Sequence, residues 1–214
     1  MRADQKKIYI VRHGETDLNR MRIVQGSGID ADLNDLGRQQ AKAFYSNYWQ
    51  QIPVEVILVS ALQRTYQTML PFIEARIPFV KYPELNEINW GIHEGLEPAP
   101  WIADNFRRTI SSWKNGDYDA RIEAGESAHE LAARVERFIE MLKLRPEQHI
   151  LICSHGRTMR CLLALLEGKT IADMENYRHD NTGMYQLDYQ GGKFTIEKHN
   201  DVSHLKDIEI IPSI

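Results

Sequence analysis

Two histidines in this 214-residue chain stand in the same local setting. His13 follows the apolar run "KIYIV" and Arg12, and Gly14 comes directly after it. His155 follows the apolar run "HILICS", and Gly156 comes directly after it. A third run, "VEVILVS", ends at Ser60 and leads to Arg64. In open α/β sheets, ligands bind beyond the carboxyl ends of the strands. Three strand ends therefore carry two histidines and two arginines to one crevice. Each residue has an ordinary use on its own: a strand-end histidine as a hydrogen-bonding group, an arginine as a surface ion pair, a glycine as a turn former. The repetition of His-Gly at two strand ends is what suggests a cationic pocket.

Such a pocket suits a phosphate ester. Arginine's planar fork matches two phosphate oxygens at once. Gly14 and Gly156 would let backbone N–H groups approach an anion, and helix N-termini after the strands add donors. A neutral imidazole is a good nucleophile toward phosphorus once the phosphoryl charge is neutralised, which predicts a phosphohistidine intermediate. The leaving alkoxide then needs a nearby acid. Other chemistries fit less well. There is no G-x-S-x-G elbow for a serine nucleophile. There is no H-E-x-x-H and no paired CxxC, and arginines beside the histidines repel a cation. No metal and no cofactor is expected.

The elements that must position these groups alternate along the chain. Apolar runs at 7–11, 54–60, 149–154 and 77–82 read as buried strands. Stretches with helical spacing cover 33–49, 61–75, 127–144 and 157–168, with a kink or break expected at Pro71. Ser127 and Glu130 form an S-x-x-E capping box. "GMYQLDYQGGKFTIEKH" alternates around Gly191-Gly192 and reads as an antiparallel hairpin at or near a sheet edge. The expected fold is α/β: a three-layer α/β/α domain over residues 1–214, with a mostly parallel sheet and an antiparallel edge strand. Residues 86–126, rich in tryptophan, proline and acids, break the alternation. They read as an insertion with small helices, either a surface subdomain burying its own aromatics or a lid over the site.

Composition bounds the partners. The chain is 43% hydrophobic and 26% charged, with a net charge of −4. That balance argues against a general nucleic-acid binder and demands a local positive cluster for any anionic substrate. No apolar run is long enough to span a membrane, and the N-terminus shows no signal-peptide pattern. Cys153 and Cys161 read as reduced and buried, which favours the cytoplasm. Nothing in the sequence addresses oligomeric state.

The ordered motifs resemble the histidine phosphatase superfamily, the phosphoglycerate mutase-like enzymes. "VRHGET" resembles the nucleophile signature, with His13 as nucleophile. "DLNRMRIVQGSGIDADLNDLGRQQA" resembles the next block, in which Asn19 and Gln25 would border the phosphate. "SALQRTYQT" would supply the second phosphate-binding arginine, Arg64; "LNEINWGIHEG" the general acid, Glu87; "ICSHG" the second histidine, His155. "AGESAHEL" resembles a block preceding a long helix, and Asn181 lies in a block near the pocket. The resemblance implies that Arg12, Arg64 and His155 clamp the phosphoryl oxygens while His13 attacks in line. Glu87 would protonate the leaving oxygen and then deprotonate the hydrolytic water. A backbone carbonyl would fix the His13 tautomer.

The same pocket serves a phosphatase or a mutase. Mutases of the family typically carry E-R-x-Y-G at the acid block, whereas here Ile88 and Trp90 follow Glu87, and neither replaces the missing cation and hydroxyl. The reading favoured is a metal-independent phosphomonoester hydrolase for small phosphorylated metabolites. The alternative is a cofactor-dependent phosphoglycerate mutase. A protein phosphatase or a non-catalytic binding module stands further back. Arg157 departs from the family pattern. It would bind a second anionic group or face solvent at a helix start, and its opposition to the helix dipole favours an anionic partner. The remaining histidines, His93, His129, His149, His179, His199 and His204, show no ligand spacing and receive no role.

Overall fold

The computed structural model describes residues 5–206 and 208. The chain runs β1 (Gln5–Arg12), α1 (Asp17–Arg20), α2 (Asp35–Tyr48), β2 (Val56–Val59), α3 (Gln63–Glu74), β3 (Phe79–Lys81), α4 (Pro100–Lys114), α5 (Ala128–Leu144), β4 (His149–Ser154), α6 (Gly156–Leu166), β5 (Met184–Gln190) and β6 (Lys193–Asp201). One sheet has the order β3-β2-β4-β1-β5-β6. Pairs β2–β3, β2–β4 and β1–β4 are parallel, while β1–β5 and β5–β6 are antiparallel.

Side-chain alternation along each strand explains the three layers. Ile8 and Ile10 of β1, Leu58 of β2 and Ile152 of β4 pack with α5 and α6. Tyr9 and Val11, Ile57 and Val59, Leu151 and Cys153 face the other way, against Phe44 of α2 and Met69 and Phe72 of α3. A strand covered on both faces must be apolar at every position, which is why β1 and β4 read as continuous runs. Cys153 and Cys161 are buried free thiols. Among the described residues, no helix is long and apolar enough to cross a membrane.

Three local expectations change. Helix α3 continues through Pro71, because the proline falls near its C-terminal end, where few turns are left to disrupt. Strand β3 is exposed along its length, being the sheet edge rather than a buried strand. The insertion holds one 15-residue helix, α4, and a single 3-10 turn, Gly91–His93, in place of several small helices. Its Trp90 and Trp113 join the core formed by α5 and α6, so it is packed into the domain and is no separate subdomain. Other details stand as read. Ser127 and Glu130 close their capping box at 3.2 and 2.9 Å. Gly191 and Gly192 take φ of 57° and 82°, the left-handed conformations that a tight hairpin requires.

Candidate active site

Strands β1 and β4 run parallel in register up to Arg12 opposite Ser154. The next residues, His13 and His155, therefore leave the sheet side by side, with ring centroids 5.1 Å apart. His13 N–H donates to the Ser154 carbonyl at 3.0 Å. Each ring is fixed differently. His13 Nδ1 donates to the Gly14 carbonyl at 2.7 Å, so Nε2 carries the lone pair. Arg64 Nε donates to His155 Nδ1 at 3.0 Å, so His155 Nε2 carries the hydrogen and donates it to Ser60 Oγ at 2.8 Å. Burial holds both rings well below the usual histidine range, and Arg64 presses both further down. Both are neutral imidazoles at pH 7.

Glu87 sits at the N-terminus of α6. Its Oε1 accepts from Thr158 N–H at 3.0 Å, from Thr158 Oγ1 at 3.1 Å and from Ile88 N–H at 3.0 Å. Its Oε2 accepts from Arg157 N–H at 3.1 Å. The helix N-terminus has open N–H donors, and a carboxylate is their natural partner. Oε2, with a single such bond, is the oxygen with lone pairs left for a substrate. Arg12 is almost fully buried, and that burial brings its guanidinium down to about 10, against the opposing pull of Glu87 and Asp180. It stays charged at neutral pH.

A cavity of about 610 Å³ opens beyond these strand ends. Arg12, His13, Glu87, Asn19, Gln25 and Asn181 all line it. Asn181 Nδ2 also donates to the His13 carbonyl at 2.8 Å, tying the β5 approach to the histidine loop. Gln25 Nε2 donates to Thr16 Oγ1 at 2.7 Å, and Thr16 with Asn19 caps α1. Arg64 and His155 are fully buried and sit behind the cavity wall. Arg64 Nη1 donates to the Ile29 carbonyl at 2.8 Å and Nη2 to the Gly26 carbonyl at 3.3 Å.

The glycines serve packing more directly than phosphate approach. A Cβ on Gly14 would lie 2.6 Å from the Gly37 carbonyl oxygen, so its bareness admits the start of α2. Its N–H is already given to Thr68 Oγ1 at 2.9 Å. A Cβ on Gly156 would lie 2.8 Å from the His179 ring. His179 itself lines the cavity, as do Arg160 and Glu175. None of the three was given a role from the sequence, because nothing in their own spacing marks them and only the packing of α6 against the 171–180 segment brings them together.

Arg157 does not face solvent. It is buried and lines the cavity, its Nη1 pairs with Glu175 Oε1, and its guanidinium lies 5.7–5.8 Å from the rings of Trp90, Phe106 and Trp113. The anionic partner that the helix dipole calls for is supplied by the protein. Of the insertion's tryptophans only Trp90 lines the cavity, beside Ile102 and Phe106 of α4. Trp113 is buried in the core and Trp101 is exposed against His93. Ile88 is wholly buried and points away from the cavity.

The sequence profile of the histidine phosphatase superfamily (branch 1) matches residues 8–202. The chain belongs to this family. A Proteus mirabilis protein named "Probable phosphoglycerate mutase GpmB" is 32% identical over 215 residues, spanning 95% of this chain and 97% of its own. The crystal structure of the alpha-ribazole phosphatase from Shigella flexneri superposes with a TM-score of 0.79 at 27% identity, covering 91% of this chain and 96% of that one. A mycobacterial glucosyl-3-phosphoglycerate phosphatase shares the fold with a TM-score of 0.77 at 24% identity, over 92% and 99% of the two chains.

Proposed function

We propose that this chain is a phosphomonoester hydrolase that works through a phosphohistidine at His13 on small phosphorylated metabolites. The observation that carries the reading is the His13 tautomer. Nδ1–H is committed to the Gly14 carbonyl, and the Nε2 lone pair belongs to a neutral ring at a cavity lined also by Arg12 and Glu87. Glu87 enters the reaction protonated on Oε2; Nε2 attacks phosphorus, and the bond from phosphorus to the leaving oxygen breaks as Oε2 gives that oxygen its proton. Glu87 then takes a proton from water, which attacks the phosphohistidine and releases phosphate.

Arg12 binds the phosphoryl oxygens from the cavity wall. Arg64 contributes positive potential from behind, and Arg64 and the neutral His155 both carry hydrogen-bond donors. They bond the oxygens directly when they exchange present partners, of which the 3.3 Å bond to Gly26 is the weakest. Charge neutralisation rests on these side chains, so no metal enters the scheme. Asn19, Gln25 and Asn181 border the same end of the cavity. Helix α4, through Ile102 and Phe106, acts with Trp90 as a lid wall that selects the leaving group. In this reading the chain works as a single domain, and its buried free thiols support a cytoplasmic location.

A mutase reading remains a defined alternative because a relative carries that name. Phosphorus NMR decides between them, using 3-phosphoglycerate, a trace of its bisphosphate and a panel of phosphomonoesters in excess chelator. Inorganic phosphate supports the hydrolase; 2-phosphoglycerate without phosphate release overturns it.

A further inference from the structure

The sequence block that carries Glu87 holds a second carboxylate, Glu94, which the reaction does not use. Like Glu87 it accepts from backbone N–H groups, but from two loops at once. Its Oε1 accepts from Trp90 N–H at 2.8 Å and its Oε2 from Gly28 N–H at 3.0 Å. Glycines make this approach possible: a Cβ on Gly26 would overlap Oε1, and one on Gly28 would lie 2.7 Å from Oε2. The seam between the loops is closed further by Ser27 N–H on the Ile88 carbonyl at 3.3 Å and Gly95 N–H on the Val24 carbonyl at 3.0 Å.

The carbonyls of the same 26–29 loop hold the phosphate-binding arginine. Arg64 Nη1 donates to the Ile29 carbonyl at 2.8 Å and Nη2 to the Gly26 carbonyl at 3.3 Å. The loop thus gives N–H groups to Glu94 and carbonyls to Arg64. Gln25, next to Gly26, lines the cavity from this loop, and Trp90 lines it from the other. Glu94 also acts on Arg64 through space. Burial lowers the guanidinium's pKa, and Glu87, Asp30 and Glu94 draw it back up. Burial raises the pKa of Glu94 in turn, opposed by its N–H donors and by Arg64. A partly buried carboxylate is a costly way to join two loops, because it gives up hydration that a neutral side chain would not need. The nearby cation explains why a charge stands there.

We propose that Glu94 is a positioning residue for the phosphate pocket: by binding the Gly28 and Trp90 N–H groups it fixes the loop whose carbonyls aim the fork of Arg64. This deepens the hydrolase reading and rests on it. Glu94 makes no contact with the reacting atoms; it acts through Arg64, and that dependence is what an experiment can read.

The test is a double-mutant cycle between Glu94→Gln and Arg64→Lys, followed by phosphate release from 4-nitrophenyl phosphate. Glutamine keeps the shape but replaces one acceptor oxygen with a donor. Glu94→Gln alone should lower kcat/KM by about 10–100-fold, and by less than about twofold when Arg64 is already lysine, which has no fork to aim. Gly28→Ala displaces the same carboxylate from the other side, since its Cβ meets Glu94 alone. It should give a smaller loss with the same dependence on Arg64, and it decides the matter should Glu94→Gln fail to fold. Full activity in Glu94→Gln, or equal losses with arginine and with lysine at position 64, overturns the positioning role while the hydrolase reading stands. Should the native protein release phosphate from no ester, the hydrolase reading fails instead. Calorimetric binding of inorganic phosphate to the same proteins then decides: weakening by Glu94→Gln that needs Arg64 upholds the role, whereas equal weakening in both backgrounds, or no binding to the native protein, rejects it.

Discussion

The ends of β1 and β4 carry the same dipeptide, His-Gly, on adjacent parallel strands, yet their surroundings give them opposite tautomers. His13 turns its Nδ1 to a carbonyl and leaves Nε2 as a lone pair at the cavity. His155 gives its Nδ1 to an arginine and its Nε2–H to a serine, fully out of solvent. The glycines differ too: Gly14 makes room for helix backbone and Gly156 for an imidazole. A histidine's role is decided by which of its nitrogens the protein occupies, and that choice is made by partners distant in sequence. Arg64 is 91 residues from His155.

The sharpest way to break the comparison is to remove each ring. His13→Ala should lower kcat by on the order of 10⁴-fold or more, since the nucleophile is lost. His155→Ala should cost about 10²–10³-fold, the scale of losing one preorganised group. Steady-state kinetics on any accepted ester checks both, and equal losses would erase the distinction. Quenching in alkaline detergent adds a second reading: an acid-labile, base-stable phosphoenzyme should be trapped in His155→Ala and absent in His13→Ala.

Glu87→Gln should lower kcat by about 10²–10⁴-fold, with the loss shrinking for esters of acidic phenols whose leaving group needs no proton. A loss that is the same for alkyl and nitrophenyl esters would remove Glu87 from the acid role.

Acid stability should treat the two histidines alike, although catalysis does not. His13, His155 and His179 are all held neutral in the folded state, below their ordinary 6.5. As pH falls through about 6.5, the unfolded chain binds protons that the native state refuses, so stability falls. Each ring contributes up to about 1.4 kcal/mol per pH unit in that window. Urea titrations between pH 7 and 5 should show this slope, and either alanine variant should flatten it to a similar degree.

The smallest effects concern the glycines. Gly14→Ala forces a Cβ into the Gly37 carbonyl and should destabilise by about 1–3 kcal/mol. Gly156→Ala meets a side chain that can swing, so its stability cost should be lower. Thermal melts of the two variants should separate them, and an inverted order would contradict the packing described.

Sequence alone determined the alternating elements, the doubly covered strands and the set of strand-end residues. Those signals are local: apolar runs for strands buried on both faces, helical spacing between them, a capping box and a Gly-Gly hairpin. Ordered motifs added Glu87, which no periodicity singles out. Tertiary structure decided the rest. It set the tautomers, because hydrogen-bond partners come from other strands and loops. It placed Arg64 and His155 behind the wall, because burial depends on what packs over a residue. It gave Gly14 to Gly37, turned Arg157 inward to Glu175 and brought Arg160 and His179 to the cavity. Contacts between residues tens of positions apart leave no local pattern, so only the folded chain reveals them.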